Sequence, residues 1–161
     1  MIRQKTAVLL GFSLELGAIL ADAPAEDQQA LKDFGINIGI GFQLKDDLLD
    51  AYADPKKFGK QVGGDIIANK KTYLLIKALE KAKGKQKQEL NALLGAKKFN
   101  KQAKVKAVKA IYDSLQIPAL TEKKVNQFFD KGFGSLDSLG RNAKSKIVLR
   151  KFAEELIARQ V

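Results

Sequence analysis

Residues 41–50 read Gly-Phe-Gln-Leu-Lys-Asp-Asp-Leu-Leu-Asp. At 100° per residue on an α-helix, Gln43, Asp46, Asp47 and Asp50 fall within an arc of roughly 100°, while Leu44, Leu48 and Leu49 point elsewhere. The helix therefore carries one polar, acidic face. Two turns upstream the same stripe is continued by Gly39 and Gly35 with Ile36 beside them, so it is small and apolar at that end. Three carboxylates at i, i+1 and i+4 repel one another, and the C-terminal end of a helix disfavours them further. Two readings follow. One is a solvated acidic helix end; the other is a site for a hard divalent cation such as Mg²⁺, which takes one or two carboxylates and fills its shell with water and substrate phosphates.

The next stretch, AYADPKKFGKQVGGDIIANKKTYLLIKAL from Ala51 to Leu79, alternates acid with base. Pro55, Gly59, Gly63 and Gly64 interrupt regular structure, and Lys56, Lys57, Lys60, Lys70 and Lys71 supply positive charge. Carboxylates that can hold a metal, close in sequence to lysines on flexible backbone, are suited to a diphosphate: metal on some oxygens, ammonium groups on the rest. Asp65, after two glycines and before a helical pattern, is either a helix N-cap or a contributor to a second metal shell.

FQLKDDLLD followed by FGKQVGGDIIANKKT resembles the second aspartate-rich motif, and the lysine-bearing segment behind it, of the trans-type isoprenyl diphosphate synthases, the polyprenyl synthetases. The opening Met-Ile-x-x-Lys-Thr-Ala resembles an internal helix of that family whose Lys-Thr pair faces the diphosphates. The ending FAEELIARQV resembles the family terminus, where Arg159 is either a diphosphate contact or an exposed terminal side chain. The resemblance implies an all-α fold, a helical bundle around a central cavity, reduced here to its C-terminal helices in one domain over residues 1–161. It implies that Asp46, Asp47 and Asp50 hold Mg²⁺ on an allylic diphosphate, with Gln43 beside them. Lys5, Thr6, Gln43, Lys60 and Lys70 become the substrate contacts, and Lys5, Thr6, Gln43, Asp46 and Asp47 carry the catalysis. The implied reaction is Mg²⁺-dependent condensation of the allylic diphosphate with isopentenyl diphosphate. The family is usually homodimeric.

Only one DDxxD pattern is present, where the family uses two facing motifs. Met1 then reads as an internal methionine, the chain as the C-terminal half of the domain, and its activity alone is expected to be low or nil. A non-catalytic diphosphate-binding subunit is the alternative that keeps the same residues.

Composition fits this reading. The 161 residues contain neither Cys nor His, which excludes disulfides, thiolate nucleophiles, the usual zinc sites and imidazole acid–base chemistry. Electrophilic prenyl transfer needs none of these, because the released diphosphate can take the proton. Twenty-nine Lys and Arg against 18 Asp and Glu leave a formal charge of +11, suited to a polyanionic partner. Nucleic acid is such a partner. However, the six lysines from Lys97 to Lys109 spread around nearly half a helix without interleaved aromatics, which reads as a solvated face rather than a stacking platform. No nucleic-acid partner is expected.

The first 24 residues combine Arg3 and Lys5, an apolar run and Ala21-Asp22-Ala23, as a signal peptide does. Glu15 interrupts that run, which is also too short to span a bilayer. An internal helix and a cytoplasmic protein are the expectation.

Period and punctuation then set the helices. The first ends at Asp22 to Pro24, and the second runs from Ala25 to about Ala51. Gly35, Gly39 and Gly41 inside it cost about 1 kcal/mol each relative to alanine, either for close helix packing or to form a wall for an isoprenoid tail. A third helix is predicted from Asp65 or Ile66 to Lys83, with Leu74, Leu75, Ala78 and Leu79 buried, and a fourth from Lys85 to Leu94. After the lysine-rich helix, Pro118 is read as a separator and Thr121 as the N-cap of an aromatic helix with Gly132 and Gly134 as points of interruption. Asn142 to Gln160 forms the last helix.

Overall fold

The fold is that of a computed structural model, described over residues 2–54, 62–140 and 143–158. Every regular element among the described residues is helical. A π-helical turn, Arg3–Ala7, runs directly into α1, Val8–Leu20. There follow α2 (Ala25–Tyr52), α3 (Gly64–Ile67), α4 (Tyr73–Lys81), α5 (Gly84–Gly95), α6 (Lys101–Ser114), α7 (Ile117–Asp137) and α8 (Ala143–Ala158). No helix among the described residues is long and apolar enough to cross a membrane.

The described residues gather into two compact units: one takes residues 2–45, 123–140 and 143–158, the other 46–54 and 62–122. In the first unit, the glycines of α2 are explained by packing. A Cβ on Gly35 would stand 2.8 Å from the Gly11 Cα, one on Gly39 would stand 2.7 Å from the Ala7 Cα, and one on Gly41 would stand 2.8 Å from the Phe129 ring. Backbone meets backbone between α1 and α2, and no side chain larger than hydrogen fits. Phe34, Ile38, Phe129 and Leu136 fill the rest of this unit's interior. Gly132 does not break α7; it presses on Ile38, and the helix is continuous through both of its glycines.

The second unit has its own core, in which Leu48 and Ala51 of α2 join Ile66, Leu74, Leu75, Ala78, Leu90, Val108, Ile111, Tyr112 and Ile117. Here the structure corrects three expectations. The helix expected over residues 65–83 is two, α3 and α4, because Asn69 turns the chain at φ +52° and Thr72 starts a new helix by accepting the Leu75 N–H at 3.3 Å. Thr121 is no N-cap: α7 begins at Ile117, with Pro118 in the first turn where its missing N–H costs nothing. The Thr121 hydroxyl is instead fully buried and donates back to the Ile117 carbonyl at 2.8 Å.

The third correction concerns the lysine-rich helix. Lys104 is 2% exposed, its ammonium donating to Asn69 Oδ1 at 2.7 Å and lying 4.2 Å from the centre of the Phe99 ring. Burial lowers its pKa from the ordinary lysine value. Lys101, Lys106 and Lys109 behave otherwise, lining an open cavity of about 510 Å³ with Val62, Ile67 and Val105.

Candidate active site

Gly63 opens the turn into α3 at φ +85°, and a Cβ there would also strike Val105 at 2.7 Å, so only glycine serves. Its N–H bonds the Asp50 carbonyl near the C-terminal end of α2. Two residues later the Asp65 N–H donates to Asp50 Oδ2 at 2.9 Å. The turn is thus stitched to the aspartate helix by backbone and side chain of one residue, Asp50.

Asp65 is not the N-cap of α3. That position belongs to Gly63, and Asp65 lies in the first turn with its carboxylate on Lys70, Nζ to Oδ2 2.7 Å. The same ammonium reaches Asp47 Oδ1 at 3.4 Å. Asp47 is buried at 4% exposed, while Asp46 and Asp50 are half-buried. Lys70 therefore sits between two carboxylates that come from α2 and α3. Partial burial works against its charge, but the hydrogen bond to Asp65 and the negative charge of Asp47 outweigh that and hold its pKa above the usual lysine value.

Asp50 shows the opposite balance. Burial pushes its carboxyl above the usual range, the Asp65 N–H and Lys70 pull it down, and the carboxylates of Asp65 and Asp46 add to the rise. As an anion Asp50 is under-compensated, a condition that a bound cation relieves. The donors are all hard oxygens, as Mg²⁺ requires. Among the described residues no three carboxylates converge into a cage for a metal ion. An ion held by Asp46, Asp47 or Asp50 would thus complete its shell with water and phosphate oxygens, the habit of Mg²⁺.

In the first unit, Thr6 donates its hydroxyl to Gln43 Oε1 at 3.1 Å, joining the π-helical turn to α2. This brings together two of the residues singled out from sequence. Lys5, beside Thr6, is exposed. Lys60 and Arg159 lie outside the described residues. Lys71 is exposed.

Sequence reasoning missed Asn69 and Lys104. Asn69 holds the left-handed turn just before Lys70, donating to the Leu94 carbonyl at 3.0 Å and accepting from Lys104. A signal was present: Asn tolerates positive φ, and Lys104 stands at i−4 from Val108 and i−7 from Ile111, on the apolar seam of α6 rather than its solvated side.

The family model for the polyprenyl synthetases matches residues 1–112. The chain belongs to the polyprenyl synthetase family. It is 40% identical over 116 residues to the short chain isoprenyl diphosphate synthase of Methanocaldococcus jannaschii, covering 72% of this chain and 36% of that protein. To the farnesyl diphosphate synthase of Bacillus subtilis it is 52% identical over 82 residues, covering 51% of this chain and 28% of that protein. Among solved structures, the geranylgeranyl pyrophosphate synthetase of Pyrococcus horikoshii superposes on 99% of this chain with a TM-score of 0.88 at 30% identity, using 48% of its own length. The chain thus spans about a third of the length of these curated relatives and about half of the solved structure. The all-α fold expected from sequence is that of the isoprenyl diphosphate synthases, and the chain corresponds to the C-terminal half of the family.

Proposed function

We propose that this chain is the diphosphate- and metal-binding C-terminal half of a trans-prenyltransferase. The whole enzyme joins an allylic diphosphate to isopentenyl diphosphate. The observation that carries the reading is the Asp47–Lys70–Asp65 bridge, with the under-compensated Asp50 tied to the same turn.

In this reading Asp46, Asp47 and Asp50 offer oxygens to Mg²⁺, whose positive charge offsets the charge that develops on the departing diphosphate. Lys70 is the cation that the chain itself supplies. An ammonium has three N–H donors, and the two carboxylates engage two of them. The remaining donor is available to a diphosphate oxygen, and the two carboxylates keep the group charged and oriented. Lys60 is a second candidate contact. In the first unit, the Thr6–Gln43 pair fixes a hydroxyl and an amide on neighbouring helices, and Lys5 adds an exposed ammonium, three groups fit for a diphosphate. The allylic C–O bond breaks with its electron pair leaving on the diphosphate, the isopentenyl double bond attacks the resulting cation, and the released diphosphate accepts the proton. None of these steps requires a cysteine or a histidine, which this sequence lacks.

The comparison proteins are about two to three and a half times the length of the segment they share with this chain, and a second aspartate motif is absent from it. Prenyl transfer by the purified chain alone is therefore expected to be low or nil. The assay is incorporation of labelled isopentenyl diphosphate into a longer polyprenyl diphosphate with each of a set of allylic diphosphates and Mg²⁺. Turnover at an ordinary enzymatic rate would overturn the assignment of this chain as half of a catalytic unit.

A further inference from the structure

Lys104 stands where a core would ordinarily place an apolar side chain. It shares the buried face of α6 with Val108 and Ile111. Its ammonium meets the neutral amide of Asn69, Nζ to Oδ1 2.7 Å, and the Phe99 ring. Neither partner carries a full negative charge, so the burial of this ammonium is poorly compensated. A side chain that breaks the rule for its position points to a task besides filling the core.

The task is legible in what the ammonium holds. An ammonium only donates, so the Asn69 oxygen must face Lys104 and the amide nitrogen must face away, where it donates to the Leu94 carbonyl at 3.0 Å. Asn69 is thus clamped between α5 and α6 while its backbone stands at φ +52°. The next residue is Lys70. Its N–H donates to the Asp65 carbonyl at 2.9 Å, and its carbonyl accepts the Thr72 N–H at 2.7 Å. From that fixed backbone its ammonium reaches Asp65 at 2.7 Å and, more distantly, Asp47 at 3.4 Å. The Asp47 contact crosses from α3 to α2 and is the one that a small rotation of the turn would break first.

We propose that Lys104 is a positioning residue for the diphosphate site: through Asn69 it holds Lys70 in place between Asp47 and Asp65. The consequence for diphosphate affinity rests on the reading of Lys70 given above. The hold of Lys104 on Lys70 does not.

Two measurements on the full 161-residue chain keep these apart. The first needs no ligand. Ammonium protons held in hydrogen bonds exchange slowly with water, so nitrogen-edited NMR should show a Lys70 signal, assigned by its absence from Lys70→Met. It is expected in the wild type and in Val108→Ala, which opens a cavity on the same buried face, and it should vanish in Lys104→Met. The second is calorimetric titration with geranyl diphosphate and Mg²⁺. Lys104→Met should weaken binding by about tenfold, as loss of a supporting partner does. Val108→Ala, measured on the folded fraction, should stay within about twofold of the wild type. The double variant Lys70→Met with Lys104→Met should bind no worse than Lys70→Met alone, because residues acting through one another do not add. Circular dichroism and urea midpoints separate lost folding from lost positioning. A Lys70 signal that is missing from the wild type or persists in Lys104→Met would overturn the proposal, and so would additive losses in the double variant. A signal that behaves as expected in a chain that binds no geranyl diphosphate would support the hold on Lys70 and overturn only the role assigned to Lys70.

Discussion

The face that α1 shares with α2 and the turn from Asp50 to Lys70 solve opposite problems. In the first, glycine meets glycine and alanine so closely that a single added Cβ would lie within 3 Å of backbone. Shape decides that contact, and the ion pair between the same two helices, Lys32 with Glu15 at 3.0 Å, is partly exposed. In the second, Asp47, Asp65 and Lys70 are held by opposite charge, and Asp50 is held by donors that only partly offset its burial. The first region is stiff and chemically inert. The second retains unbalanced charge that a ligand can use, and it depends on a core that holds its turn in place. Stability and chemistry are thus written in different residue types, and substitutions should separate them.

The largest effect is expected at Gly35. Gly35→Val sets a branched side chain against the Gly11 backbone, which has no flexible end to yield, and should destabilise the chain by about 3 kcal/mol or more. Urea denaturation followed by circular dichroism measures it. A loss below about 1 kcal/mol would mean that the two helices are not in backbone contact.

Next comes the charged turn. Asp47→Ala removes one of two carboxylates from Lys70 and leaves Asp65 in place. It should cost about 1–3 kcal/mol of stability, the range for loss of one buried partner. It should also weaken Mg²⁺-dependent diphosphate binding by at least tenfold. Equal loss of binding in Gly35→Val, measured on the fraction that remains folded, would erase the distinction between the regions.

A smaller effect, of opposite sign, belongs to Gly17. It lies within α1 like Gly11, but a Cβ there meets nothing within 4 Å. Gly17→Ala should stabilise the chain by about 0.5–1 kcal/mol through helix propensity.

The smallest is a drift with pH. Burial lowers the folded pKa of Lys104 below its unfolded value, so between the two the unfolded chain binds more protons and stability rises with pH. The contribution is absent below the folded pKa and complete above the ordinary lysine value of 10.5. Urea midpoints of the wild type across the alkaline range should rise relative to those of Lys104→Met, which has no such group to titrate.

What could be read from the sequence divides along the same line. α2 was legible to within a residue at its C-terminal end, because its apolar period is long and Pro24 marks its start. The acidic face was legible because four of its residues fall within eight positions of one helix. The break between α3 and α4 was not, since the leucines on either side keep a helical period across it. It takes the left-handed Asn69, held by Leu94 and Lys104, to end one helix and the hydroxyl of Thr72 to begin the next. Thr121 misled for a related reason: a threonine just after a proline looks like a cap, yet the proline is already inside the helix. Lys104 was counted with its neighbours by charge, although its spacing to Val108 and Ile111 puts it on the buried side. The pairing of Lys70 with Asp47 spans 23 residues and depends on how the second unit packs, which no local pattern records.

The most direct measurement is calorimetric titration of the purified chain with an allylic diphosphate, with and without Mg²⁺, beside an Asp46→Ala variant. Mg²⁺-dependent binding that disappears in the variant is the result expected of a diphosphate site built on this helix. Binding that is indifferent to Mg²⁺ and to Asp46, or no binding by the folded chain, would contradict it.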